Sequence, residues 1–155
     1  MATYNSTLVN AGQQTPSVVP GTIRPVYGSV VIPASTTLNL NDTIQLFSMP
    51  GPASHIMDGW LDFPILDSGN TIRLQLLDSL TSPTTILAAF GALNATLRVV
   101  IPVSAATATI GSAITYNSTN GPIPDAIFLK VSTGAGASVG GTAVTIYFYF
   151  GICND

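Results

Sequence analysis

Hydrophobic and polar residues alternate along most of the chain from residue 26 onward, and such alternation predicts β-strands with one buried face. Residues 26–32 predict a first strand, which Pro33 ends. Over residues 38–47 the hydrophobic positions share one face, but Asp42 interrupts them. A bulge or a break into two short strands is therefore predicted at Asp42. The remaining predicted strands cover residues 56–63, 71–78, 96–103, 113–116, 125–132 and 142–150.

One segment departs from this alternation. Ser82 is a typical helix N-cap, Pro83 suits the first helical position, and the residues that follow are rich in Ala and Leu. These features predict one short helix over roughly residues 83–92.

The spacing of the predicted strands indicates the fold class. About eight strands follow one another with turn residues between them, which is typical of an antiparallel sandwich or barrel. Eight strands in two sheets favour a jelly roll. An immunoglobulin-like sandwich and a closed barrel fit the same spacing. We therefore predict an all-β protein, an antiparallel β-sandwich of jelly-roll type, with one short helix and an extended N-terminal arm.

Residues 1–25 show no sustained hydrophobic period. Pro16, Pro20 and Pro25 fix the backbone and favour extended geometry in the residues before them. The segment is either an unstructured terminus or an extended arm that lies on a neighbouring subunit. Its lack of negative charge favours the arm, because solvated tails are usually charged. We divide the chain into an arm at residues 1–25 and a sandwich domain at residues 26–155.

Charge is scarce throughout the sequence. Charged residues make up 7% of the chain, with 4 Lys+Arg, 7 Asp+Glu and a net charge of −3, whereas an average domain has about 25%. So few cations argue against binding a phosphate backbone. The uncharged runs are interrupted by Pro, Gly, Ser and Thr, and we expect no membrane span or signal peptide.

The residue types that carry catalysis are sparse. The only histidine, His55, is predicted to lie in a loop, and the only cysteine, Cys153, beyond the last strand. Asp58 and Asp62 share one strand face about 13 Å apart, a wider gap than the roughly 5–9.5 Å of glycosidase carboxylates. These two carboxylates suit at most a calcium ion at a subunit contact, and no Cys/His cluster is present. We predict a protein that is not an enzyme and has no cofactor or metal.

Trp60 is the most informative residue of the predicted outer faces. It lies between Asp58 and Asp62 on the solvent side of its strand. An aromatic side chain in that position is either an interface anchor or a platform on which a sugar stacks. We favour the interface.

Aromatic residues also occupy the outer positions of other predicted strands. A free monomer normally keeps charge on such faces, so apolar residues on both faces indicate that another subunit or a partner covers them. The interface candidates are Trp60, Asp58, Asp62, Phe128, Tyr147 and Tyr149 in the sandwich, with Pro16 and Pro20 in the arm.

Two stretches of the chain resemble a known family. They are NDTIQLFSMPGPASHIMDGWLD at residues 41–62 and DSGNTIRLQLLD at residues 67–78, and the alanine-rich segment follows them. They are similar to the head decoration proteins of tailed bacteriophages, which typically read D-x-I-x-L-x-x-[LM]-P-x-G-A and then D-S-G-x-T-L-x-L-G-[LY]-x-D. The resemblance covers about residues 38–95 and, loosely, the last two strands. Gln75, where a Gly is common, and an inserted Ser54-His55 depart from the pattern.

The resemblance implies a jelly-roll subunit that coats the outside of a phage head and resists the pressure of the DNA inside. Its partners would be the major capsid protein and further copies of itself, in dimers or trimers at symmetry axes, assembled in the bacterial cytoplasm. Scarce charge suits this role, because burying unpaired charge is costly. The alternative is a carbohydrate- or receptor-binding module, such as a spike or fibre head, that uses Trp60, Asp58, Asp62 and the exposed tyrosines.

Overall fold

The chain is built almost entirely from β-strands. The computed structural model describes residues 1–11, 22–48, 54–66, 71–77, 86–91, 93, 95–101, 113–114, 126–133, 137–138 and 141–154. Its strands are β1 (Thr3–Asn5), β2 (Arg24–Ile32), β3 (Thr37–Leu38), β4 (Thr43–Ser48), β5 (Ser54–Phe63), β6 (Arg73–Leu77), β7 (Ile86–Phe90), β8 (Leu97–Ile101), β9 (Ala113–Ile114), β10 (Ala126–Thr133), β11 (Ala137–Ser138) and β12 (Val144–Asn154). The one helix of the described residues, α1 (Thr7–Asn10), is far too short to span a membrane.

Eight of these strands form two packed sheets. Sheet I has the order β4-β10-β6-β7, with β1 added parallel at the β4 edge, and sheet II has the order β2-β12-β5-β8, with β9 beside β5. In the order of the chain the eight strands are β2, β4, β5, β6, β7, β8, β10 and β12. The first pairs with the last (β2 with β12), the second with the seventh (β4 with β10), the third with the sixth (β5 with β8) and the fourth with the fifth (β6 with β7), all antiparallel. Such pairing rolls one long hairpin into two sheets, which is a jelly roll. The predicted β-sandwich is confirmed.

Side chains from the inner faces of both sheets fill a single core. Phe47 of β4 packs against Phe148 and Phe150 of β12, with ring centroids 6.1 and 5.2 Å apart. Phe47 and its neighbour Leu46 are both buried, although strict alternation would turn one of them outward. A register shift between β4 and β10 leaves Leu46 unpaired, and this bulge lets both residues face the core.

A buried carboxylate marks the predicted break at Asp42. The chain turns between β3 and β4, and Asp42 is only 1% exposed. Burial alone raises the pKa of Asp42, but hydrogen bonds from the backbone N–H groups of Ala2 and Asn39, at 2.6 and 2.9 Å, outweigh it and hold the pKa below its usual range. Of the two predicted alternatives, a bulge or a break into two short strands, the structure has the break, with β3 and β4 on either side of Asp42. The hydrogen bond from Ala2 ties the turn to the N-terminal segment.

The first eleven residues pack against sheet I of their own chain. Residues of β1 run parallel to β4, from Thr3 beside Thr43 to Asn5 beside Gln45. Ser6 caps α1 by accepting the N–H of Val9, and its hydroxyl donates to the carbonyl of Leu46. This part of the segment that we assigned to an arm is thus a strand and a helix. Pro16 and Pro20 lie outside the described residues.

The helix predicted over residues 83–92 is wrong for the residues that the structure describes. Residues 86–90 form β7, which pairs with β6. Phe90 is buried and its ring lies 5.2 Å from that of Phe63. The hydrophobic contact and the ladder hydrogen bonds override the modest helix preference of Ala and Leu.

The last strand is longer than predicted, which changes the placement of two residues. Because β12 continues to Asn154, Cys153 lies within the strand and not beyond it. His55 lies in β5 and not in a loop, and it is the register partner of Cys153. Among the strands that the structure describes, β8 is the outer strand of sheet II on the side opposite β2.

Candidate interface on the outer face of sheet II

The register of sheet II brings outward residues from all four strands into rows. Tyr27 of β2, Tyr149 of β12, Trp60 of β5 and Val100 of β8 are successive cross-strand neighbours. The adjacent row consists of Ser29, Tyr147, Asp62 and Arg98. We call the surface made by these two rows, with Val31 and Asp58 at its margins, the aromatic face.

Large apolar side chains remain open to solvent on the aromatic face. Tyr27 is 71% exposed, Val100 61%, and Tyr147 and Val31 54% each. Trp60 and Tyr149 are half-buried at the centre. Their rings stack, with centroids 6.0 Å apart and an interplanar angle of 19°. A rigid aromatic centre surrounded by exposed apolar groups is typical of a protein-protein interface.

The charges of the aromatic face largely cancel. Arg98 donates from Nε and Nη2 to the two carboxylate oxygens of Asp62, each at 2.5 Å. The hydrogen bonds from Arg98 lower the pKa of Asp62, which is therefore ionised at neutral pH. The guanidinium also lies over Trp60, 4.5 Å from the ring centroid. Asp58, whose carboxylate lies over Gly151, is the one charge of this face that is not compensated within it.

The structure brings most of the sequence-predicted interface residues together. Trp60, Asp62, Tyr147 and Tyr149 form neighbouring positions of the aromatic face, and Asp58 lies at its margin. The carboxylates of Asp58 and Asp62 occupy opposite sides of Trp60, as the alternation predicts.

Phe128 does not belong to this surface and is buried. It lies on β10 of sheet I, is 1% exposed, and has Leu77 as its register partner, which is 2% exposed. We expected a partner to cover this aromatic residue. The chain itself covers it, so Phe128 in the folded chain offers no contact surface.

Sequence reasoning missed Tyr27, Val100 and Arg98. The alternation of each strand contained a signal for these residues. Tyr27 alternates with the buried residues Val26 and Val30, and Arg98 and Val100 lie on either side of Val99. That signal places a residue on the outer side of its strand only. Which strands lie side by side depends on pairings between distant parts of the chain, and those became visible only in the fold.

The outer face of sheet I has a different character. Its register places Lys130 of β10 between Thr43 of β4 and Gln75 of β6. The side chains of Lys130 and Gln75 are half-buried and polar. Among the side chains that the structure describes, no three His, Cys, Asp or Glu residues group closely enough to hold a metal ion.

Comparison with known proteins gives structural neighbours only. No protein-family model and no curated protein matches the sequence. A chain from the capsid of Ralstonia phage GP4 superposes with a TM-score of 0.64 and 17% identity, over 99% of both chains. A chain from the cyanophage Pam1 capsid asymmetric unit gives a TM-score of 0.48 and 19% identity, over 88% of this chain and 94% of the other. The likeness to the GP4 chain shows a fold shared over nearly the whole length.

Proposed function

We propose that the chain is a virion structural protein of the decoration or cement type, which binds the outside of a phage head and stabilises it through many non-covalent contacts. The observation that carries this proposal is the fold shared with a chain from the capsid of Ralstonia phage GP4 over 99% of both chains. The partners are the major capsid protein and further copies of the chain. Its place is the capsid surface, after assembly in the bacterial cytoplasm.

The surface chemistry supports the proposal. A subunit that coats a lattice buries much of its surface in contacts, and each buried charge without a partner costs free energy. Here only 7% of the residues are charged, and Arg98 and Asp62 of the aromatic face neutralise each other. Exposed Tyr and Val side chains on that face supply area that closes against another protein without desolvating ions.

A cement role predicts a change in particle stability. Particles that lack the chain, made by deleting its gene, are expected to release their DNA at a lower temperature than complete particles, as followed by a dye that fluoresces on free DNA. Adding the purified chain back is expected to restore the original temperature. The same release temperature with and without the chain would contradict the cement role.

A carbohydrate- or receptor-binding module is the second candidate, and the half-buried stack of Trp60 and Tyr149 on the outer face of sheet II is the observation that favours it. Against it, Arg98 already occupies a position over the Trp60 ring, where a sugar would stack. A single variant, Trp60→Ala, distinguishes the two functions. On the decoration hypothesis Trp60→Ala weakens assembly and the wild type binds no sugar in a glycan array. On the module hypothesis Trp60→Ala abolishes binding in the glycan array and leaves the oligomer intact.

A further inference from the structure

We propose that the aromatic face is a self-association surface: two copies of this chain pack their sheets II against each other around a two-fold axis. This goes beyond the proposed function, because neither the capsid role nor the fold specifies which surface contacts a second copy. In a two-fold contact the same patch meets itself, so the patch must be complementary to its own chemistry. The side chains of the aromatic face meet that requirement in charge, hydrogen bonding and area.

Charge is the first condition. A patch with a net charge repels its own copy, whereas Arg98 and Asp62 of this face form a closed pair with both hydrogen bonds satisfied. Only Asp58 keeps an uncompensated charge, and it lies at the margin, where water can reach it. With its one cation already paired, the face offers no attraction to a nucleic acid or an anionic lipid surface.

Hydrogen bonding is the second condition. Tyr27, Tyr147, Tyr149 and Ser29 all carry hydroxyl groups on this face. A hydroxyl both donates and accepts, so a hydroxyl-rich patch can pair with its own copy. A patch of carboxylates or of ammonium groups cannot do so, because the former only accept and the latter only donate.

Area is the third condition. Thirteen outward positions on the four strands, from Pro25 to Val100, cover roughly 400 Å² of flat sheet at the usual strand and residue spacings. The accessible area exceeds this flat value, because Tyr27, Val100, Val31 and Tyr147 are each more than half exposed. A standard interface buries roughly 800 Å² per partner. The whole face is therefore needed for one stable contact, which leaves room for a single opposing copy at the distance of about 10 Å that separates packed sheets.

The test measures the mass of the full chain in solution by light scattering and sedimentation. We expect about 32 kDa, twice the 16.0 kDa chain. Tyr27→Asp introduces a charge at the most exposed aromatic residue of the face, and we expect dimer affinity to fall at least about ten-fold. Leu40→Asp is the matched control, because Leu40 is an apolar residue 50% exposed and lies outside this face. We expect it to stay dimeric.

A second readout uses Trp60, the only tryptophan. When the wild type is diluted below its dissociation constant, we expect the fluorescence emission of Trp60 to shift to the red. Leu40→Asp is expected to show the same shift on dilution. Tyr27→Asp is expected to show the red-shifted emission already before dilution. If Tyr27→Asp fails to fold by circular dichroism, Val100→Asp replaces it. A monomeric wild type at about 100 µM, a trimer, a dimer that survives both face variants, or equal loss in the Leu40 control would each overturn the inference. The particle experiment above is independent of these results, so either proposal can fail alone.

Discussion

At the scale of single residues, a few positions have demands that only one residue type meets. Asp42 is a buried carboxylate that accepts two backbone N–H groups, one from the turn and one from the N-terminal segment. Gly59 lies where a Cβ would be 2.8 Å from the ring of Phe150 and 2.9 Å from the carbonyl oxygen of Tyr149. Both residues connect distant parts of the chain, so their loss has consequences beyond their own strand.

Replacing Asp42 tests the link between the turn and β1. Asp42→Asn keeps the shape but weakens the charge-assisted bonds, so we expect the free energy of unfolding at pH 7 to fall by about 1–3 kcal/mol in urea denaturation. The pKa of Asp42 is lowered in the folded state. The ionised carboxylate therefore contributes its full stabilisation of the fold above the pKa of the unfolded state, about 3.9, and this stabilisation is lost as the pH falls through the pKa of the folded state.

The difference between wild type and Asp42→Asn is therefore expected to shrink below about pH 3.9. Asp58→Asn, at an exposed carboxylate, is the control and is expected to change the free energy of unfolding by less than about 0.5 kcal/mol. An Asp42→Asn variant as stable as the wild type at pH 7 would show that the buried carboxylate is dispensable.

Gly59 offers a test of close packing inside sheet II. In Gly59→Ala the new methyl group meets a backbone carbonyl that cannot move aside, and we expect a loss of about 1–3 kcal/mol in the free energy of unfolding. Gly141→Ala is the matched control, because nothing lies within 4 Å of its Cβ position, and we expect a change within about 0.5 kcal/mol. Equal stability of the two variants would contradict the close approach of β5 and β12 at this point.

At the scale of elements, the alternation of hydrophobic and polar residues predicted most strands but missed the strand at residues 86–90 and the bulge at Leu46. The strands β2, β4, β5, β6, β8, β10 and β12 follow the predicted segments closely. Residues 86–90 did not follow, because Ala and Leu carry no strong strand signal and the partner that makes them a strand, β6, is not visible in their own sequence. The bulge at Leu46 was equally hidden, since it depends on the register with β10.

The strand character of residues 86–90 has a measurable energetic consequence. Phe90 is 5% exposed and packs against Phe63 of the other sheet. We expect Phe90→Ala to lower the free energy of unfolding by about 3–5 kcal/mol in chemical denaturation. Leu40→Ala removes a half-exposed side chain and is expected to cost less than about 0.5 kcal/mol. A cost for Phe90→Ala as small as that of the control would mean that β7 does not close this end of the core.

At the scale of the whole molecule, the sequence supported the sandwich and about half of the candidate interface. Composition and strand spacing were enough to predict a β-sandwich, because the fold class depends on properties of the whole chain and not on the pairing of particular residues. Trp60, Asp62, Tyr147 and Tyr149 were recognisable as outward residues from alternation alone. Tyr27 and Val100 complete the aromatic row only because β2 and β8 are the outer strands of sheet II among those that the structure describes, an arrangement that no local pattern contains.

The copy number of the chain in particles tests most directly our proposal that it coats a phage head. The measurement is quantitative mass spectrometry on particles purified by density gradient from the source lysate, with the major shell protein as internal reference. If the chain is a decoration subunit, we expect hundreds of copies per particle, in a fixed ratio to the shell protein. A few copies per particle would indicate a spike or fibre head, and complete absence from particles would contradict the virion role.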